Sequence, residues 1–309
     1  MWRILLAGVA TIGVAGCLQG ANPPEHEAYR AAPIPAAARV ALVLGDGMAP
    51  YLDDIEKGAQ AAARENHVEV LRVDGRADPS GEVERLRRSG AGAIVFVSAS
   101  SAGHESLFDM ARRAGIPLVA VGAVPDPAAA LPYVAVDDEQ SAYLAVTALL
   151  AGDVDGLQVA VLESGSESIQ TRARRAGIDR ALAEHGEVQV LARQRANGRI
   201  DQAYETTRQL FAAHPQIDLV IGSSDAMALG ALKYLRDSRR PQVRVAGFGA
   251  LPEARAALTG GGFALTVDPR IEKQAYLGVE YAARSLRGGE VPPVTLLEAD
   301  LLLSPRPRP

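Results

Sequence analysis

The stretch "LVIGSSDAMALGALKYL", Leu219 to Leu235, decides how this chain is read. An apolar run ends at Gly222, three polar residues follow, and a helical pattern begins at once. Open α/β sheets place ligands at such corners, because the carboxyl ends of parallel strands face the crevice. A catalytic serine, a phosphate cradle, a sugar pocket and a plain helix cap all compete for Ser223, Ser224 and Asp225.

The same rhythm runs outward in both directions. Apolar runs of five or six residues, such as "RVALVLG" (Arg39–Gly45), "AIVFVS" (Ala93–Ser98) and "IPLVAVG" (Ile116–Gly122), alternate with helical segments. Continuous apolar strands between helices predict parallel sheets covered on both faces. "YVAVDD" (Tyr133–Asp138) closes a first half, and the alternation restarts with "EQSAYLAVTALLAG" and "LQVAVLES". In "IDQAYETTRQLFAAHP", Ala203, Thr207, Leu210 and Phe211 share one helix face. The expected architecture is α/β, with two doubly wound parallel-sheet lobes joined by a hinge. Residues 39–136 plus 270–294 form the first lobe. Residues 137–269 plus 295–303 form the second, since the helix Ile271 to Leu286 crosses back.

Polar residues at the strand ends then become the candidate ligand contacts: Asp46, Tyr51, Ser98, Asn197, Ser224, Asp225 and Asp268, with Arg172 in the helix after "LQVAVLES". Asp225 is placed to cap its helix, with ligand contact as a second role. Ser224 is the pocket-facing member of the corner.

Enzymatic readings fail on residue supply. "GSSDA" imitates a nucleophile elbow, but that chemistry needs a histidine after the serine. His26, His67, His104, His185 and His214 all precede Ser224. "LVLGDGMAP" begins a dinucleotide-type glycine pattern, yet Pro50 stands where the third glycine belongs. The metal-binding reading of "GDGM" lacks a cluster of histidine and acidic ligands. No cofactor, no metal and no catalytic residue are expected. The net charge of −5 gives no reason to expect nucleic acid.

The start is of another kind. "MWRILLAGVATIGVAGC" has Arg3, an apolar run from Ile4 to Ala15, and Cys17, the single cysteine of the 309 residues. A run of about a dozen apolar residues suits a signal-peptide core rather than a membrane span. "VAGC" resembles a bacterial lipobox, which implies a signal peptide over residues 1–16 and lipidation of Cys17. Residues 17–38 follow as lipidated cysteine and flexible Ala/Pro-rich tether, and residues 304–309 form an unfolded tail. Leu18 after the cysteine points to the outer membrane where the cell has one.

"GAQAAA" (Gly58–Ala63), "AGIPLVAV" (Ala114–Val121), "TRARRAGIDRAL" (Thr171–Leu182), "SSDAMALGALKYL" and "VRVAGFG" occur in one order at domain-scale spacing. Together they resemble the ribose-type periplasmic binding proteins of bacterial sugar ABC transporters, from Arg39 to Leu303. The resemblance implies a cleft between hinged lobes, a small polar ligand, an ABC permease or membrane sensor as partner, and a monomer held to the membrane by its lipid. It also implies which sugar contacts have changed. Tyr51 is retained but Leu52 replaces a second aromatic. Gly122-Ala123 stand where Asp-Arg are common, Gly249 stands for an Asp, and Pro269 for a Gln. Arg172 is the charged ligand that survives.

A standard ribose or galactose site is therefore not expected. The reading is a binding lipoprotein for a sugar-like, anionic or polyol ligand. The alternative is a degenerate binding protein that docks a protein partner. Pairing of Arg172 with Asp137, Asp138 or Glu163 across the cleft would favour that alternative.

Overall fold

The structure is a computed structural model, and it describes residues 38–74, 86, 88–101, 103–152 and 154–305. The proposed signal peptide, Cys17 and most of the tether lie outside the described residues, as do residues 306–309 of the expected tail. Among the described residues no helix is long and apolar enough to cross a membrane.

Two six-stranded sheets carry the molecule. The first has the order β11-β5-β4-β3-β1-β2, with β1 Arg39–Leu44, β2 Glu69–Asp74, β3 Ala91–Ser98, β4 Leu118–Gly122, β5 Tyr133–Val136 and β11 Val294–Leu297. Its pairings are all parallel. The second has the order β12-β10-β9-β8-β6-β7, with β6 Gln158–Glu163, β7 Gln189–Arg195, β8 Leu219–Gly222, β9 Arg244–Phe248, β10 Leu265–Asp268 and β12 Asp300–Leu303. Here β12 runs antiparallel to β10 and closes that edge.

Central strands buried on both faces read as unbroken apolar runs because helices cover each side. On the first sheet, α1 (Leu52–Asn66) and α8 (Ile271–Leu286) pack one face, with Ile55, Ala59, Ala275 and Val279 against Val95 and Val121. The other face takes Leu107 and Phe108 of α2 (Glu105–Arg113). On the second sheet, α3 (Asp138–Leu149) and α4 (Ile169–Ala183) cover one face. The opposite face takes α5 (Ile200–Ala213), α6 (Asp225–Asp237) and α7 (Pro252–Thr259). The buried residues of α5 are Ala203, Thr207, Leu210 and Phe211, the face that helical spacing selects.

The chain passes between the sheets three times: from β5 into α3, from β10 into α8, and from β11 to β12. The last passage differs from the sequence expectation. Residues 295–297 belong to β11, which pairs with β5 in the first sheet, so the chain leaves that sheet after Leu297 and not after 294.

Candidate functional site

The carboxyl ends of the central strands of both sheets face one cavity of about 270 Å³. From the first lobe come Met48, Tyr51, Ser98, Gly122, Ile271 and Gln274. The second lobe supplies Asp138, Gln170, Arg174, Ser224, Phe248 and Gly249. A second, more open cavity of about 320 Å³ lies beside the β10-to-α8 passage. Two ion pairs line it: Arg255 with Asp268 at 2.5 Å, and Arg270 with Asp300 at 3.6 Å. We place the candidate site in the cavity at the strand ends, where α/β folds converge polar groups on a ligand.

Tyr51 follows β1 in a short 3-10 turn, Ala49–Tyr51. Its hydroxyl donates to the carbonyl of Gly249 on the opposite lobe at 2.9 Å. Burial, reinforced by the nearby Asp225 carboxylate, pushes the phenol up to about 12, so it stays a neutral donor at ordinary pH. Gly249 sits at φ +135, and a Cβ there would lie 2.8 Å from the Tyr51 hydroxyl. The tyrosine thus takes the space that a side chain at 249 would fill. Gly122 has φ +83, and its Cβ would lie 2.7 Å from the Ser98 carbonyl. Contact between the ends of β3 and β4 leaves no room there for an acidic side chain.

The Ser224–Asp225 corner is resolved differently from expectation. Ser224 has extended backbone and is the helix cap, its Oγ accepting from the Met227 N–H at 3.4 Å. It also borders the cavity. Asp225 does not cap α6. Its carboxylate is drawn inward, 1% exposed, where it accepts from the Thr266 hydroxyl at 2.7 Å and the Leu251 N–H at 2.8 Å. Thr266 Oγ1 in turn accepts from the Ala250 N–H at 3.2 Å. Asp225 therefore shapes the turn after β9 that presents the Gly249 carbonyl. Burial pushes its carboxyl up to about 6, and the two hydrogen bonds oppose that rise.

Arg172 is corrected. It is exposed, and it donates to the Glu167 carbonyl beside it. The arginine that borders the cavity is Arg174. Gln170, Gly177, Ile178 and Ala181 are buried residues of α4, and Arg174 shares their stripe at i+4 from Gln170. Arg172 lies two positions away, on the other side. Arg174 donates from Nε at 3.1 Å and Nη2 at 2.5 Å to the Asp138 carboxylate, and from Nη1 at 2.8 Å to the Ser223 carbonyl. Its guanidinium also lies 5.2 Å from the centre of the Phe248 ring. Both partners belong to the second lobe, so this pair forms one wall and does not bridge the cleft.

Other expected contacts are spread more widely. Ser98 is fully buried, and its hydroxyl donates to the Ser100 carbonyl at 2.7 Å, tying its own turn. Asp46 has an exposed side chain outside the cavity wall, and its carbonyl accepts from the Ala99 N–H at 3.1 Å. Asn197, at φ +49, is exposed and donates to Gln202 at 2.9 Å. Asp268 is held by Arg255 and accepts from the Arg270 N–H at 2.8 Å, which places it on the second cavity. Sequence reasoning missed Arg174, Gln170 and Gln274. All three sit on helices rather than strand ends, and a polar residue on an otherwise buried helical stripe was the available signal. Among the described residues no group of His, Cys, Asp and Glu is gathered as a metal site.

Two wound lobes with a cleft between their strand ends define a solute-binding architecture. Residues 40–290 match the family model described as a periplasmic binding protein domain. The chain belongs to this family and is a type I periplasmic binding protein. The ribose import binding protein of Escherichia coli is 26% identical over 255 residues, covering 82% of this chain and 86% of that protein. The xylitol-binding protein of Mycolicibacterium smegmatis is 26% identical over 271 residues, covering 84% of this chain and 73% of its own. A solved ABC transporter periplasmic solute-binding protein of Actinobacillus succinogenes, with bound D-allose, matches with a TM-score of 0.78 at 24% identity, over 86% of this chain and 98% of that one.

Proposed function

We propose that this protein is an extracytoplasmic substrate-binding lipoprotein. It closes its two lobes on a small polar, sugar-like ligand and presents the closed form to an ABC permease or a membrane sensor. The observation that carries this reading is the cavity of about 270 Å³ with polar groups contributed by both lobes. A ligand held by both walls stabilises the closed arrangement by its differential affinity for it. Relatives named for ribose and xylitol support a polyhydroxyl ligand. That they are binding proteins fits the reading of this protein as a binder and not an enzyme.

The anchor rests on sequence. Cys17 ends an apolar run after small residues, and the Ala/Pro-rich tether that follows gives the binding lobes reach from a membrane. We assign the lipid to Cys17 and the outer membrane as its site where the cell has one. Labelling with radioactive palmitate tests this: Cys17→Ser is expected to lose both the label and membrane fractionation.

The ligand is tested by thermal unfolding of the purified full-length protein against pentoses, hexoses, polyols, sugar acids, sugar phosphates and amino acids. A ligand at about 100 times its Kd stabilises by about 2.7 kcal/mol, a rise in Tm of several degrees. Cooperative melting with no shift anywhere in the panel would transfer the reading to a protein-docking role with a silent cleft.

A further inference from the structure

We propose that Gln170 and Gln274, on opposite walls of the cleft, are the residues that read the ligand, and that they select an uncharged hydroxyl-bearing molecule over its acid or phosphate derivatives. The inference rests on the binding-protein reading and goes further by assigning the contacts.

Gln274 lies on α8 of the first lobe and is 1% exposed. Gln170 lies in the first turn of α4 of the second lobe and is 9% exposed. Both border the cavity. Gln274 donates from Nε2 to the Pro269 carbonyl at 2.6 Å, which orients the amide and leaves Oε1 without a partner. Gln170 Nε2 is likewise without a partner. Among the described residues, Gln170 and Gln274 are the residues of this cavity's wall that hold an unpartnered buried side-chain atom. One wall thus offers an unmet acceptor and the other an unmet donor. Burying either without a partner is unfavourable, so closure gains when a ligand supplies both.

The chemistry of the missing partner follows. A hydroxyl both donates and accepts. A molecule with several hydroxyls satisfies Gln274 Oε1 and Gln170 Nε2 together. A carboxylate or ionised phosphate oxygen placed against Gln274 only accepts and leaves it unmet, and an ammonium placed against Gln170 only donates and leaves that one unmet, so the charged group of a derivative must sit against the rest of the wall. Three other polar side chains of the wall are already engaged. Tyr51 donates to Gly249, Ser98 to Ser100, and Ser224 caps α6. The charged side chains of the wall are Asp138 and Arg174, and they neutralise each other. No free cation of the wall stands ready for an anion.

The test uses isothermal titration of the full-length protein with D-ribose, D-allose and xylitol as uncharged probes, and ribonate and ribose 5-phosphate as anions. Gln170→Leu and Gln274→Leu are compared with the parent protein. The expected result is that an uncharged probe binds at least tenfold more tightly than either anion. Each leucine variant then loses at least tenfold in affinity while its ligand-free Tm falls by less than the ligand-induced rise. A purely structural glutamine would lower the ligand-free Tm and leave affinity intact in the folded fraction. If a leucine variant does not fold, Gln170→Met or Gln274→Met replaces it with a flexible side chain of similar length. Unchanged affinity for an uncharged probe in the variants overturns this inference and leaves the binding-protein reading standing. Preference for an anion overturns the charge argument in the same way. Absence of binding by every probe to a cooperatively folded protein overturns the reading itself, and this inference with it.

Discussion

Asp225 illustrates how one side chain serves structure and carries a measurable pH signature. Its carboxyl is raised to about 6 from the ordinary 3.8, chiefly by burial. Between those values the folded chain keeps a proton that the unfolded chain has released. Stability from this group is therefore fully present below about pH 4 and is lost as pH rises through 6. At 1.36 kcal/mol per pH unit the difference is about 3 kcal/mol. Asp225→Asn carries no ionisation, so its stability relative to the parent protein should improve by about that amount between about pH 4 and pH 7. Denaturant unfolding at the two pH values measures it, and parallel pH profiles would show that the carboxyl is not raised. The residue also marks a limit of sequence reading. A serine and an aspartate side by side at a helix start are equally good caps by local chemistry. What separates them is the Thr266 hydroxyl and the Leu251 N–H, brought close by β10 and the β9 turn, and neither is visible in residues 219 to 235.

At the scale of elements, the strands and helices were legible because their periodicities are physical. Unbroken apolar runs became the central strands, and the α5 face was readable residue by residue. The site was less legible because candidate ligands were sought at strand ends, while Gln170, Arg174 and Gln274 project from helices. Helical spacing puts Gln274 beside Ile271, Ala275 and Gly278 on a buried stripe, and Arg174 beside Gln170 and Ile178. The same spacing turns Arg172 away. The pairing of α3 with α4 through Asp138 and Arg174 yields a prediction of its own. The Asp138 side chain is 8% exposed and that of Arg174 27%. Arg174→Met strands a buried carboxylate and should destabilise by about 3 kcal/mol. Adding Asp138→Asn removes the stranded charge and should recover most of the loss. A double-mutant cycle by urea unfolding measures the coupling, and additive losses would show that the pair is not coupled.

At the scale of the whole molecule, a contact that local sequence does not reveal joins residues 198 positions apart: the Tyr51 hydroxyl on the Gly249 carbonyl. From sequence Tyr51 is expected to be a ligand contact, but its hydroxyl bonds lobe to lobe, and Gly249 is where the second lobe makes room for it. A neutral hydrogen bond of this kind is worth about 1 kcal/mol net, which is about fivefold in an equilibrium constant. Tyr51→Phe keeps the ring and removes this bond, so the closed arrangement should lose about fivefold in population relative to an open one. If closure is what binds, the apparent Kd rises by up to the same factor, because affinity scales with the competent fraction. Small-angle scattering of the ligand-free variant should report a larger radius of gyration than the parent, and saturating ligand should remove the difference. Gly249→Ala should act in the same direction and more strongly, since its Cβ would crowd the tyrosine oxygen and φ +135 disfavours any side chain. Unchanged scattering and unchanged affinity in Tyr51→Phe would mean that the three chain passages alone set the lobe arrangement, with the tyrosine bond following rather than holding it.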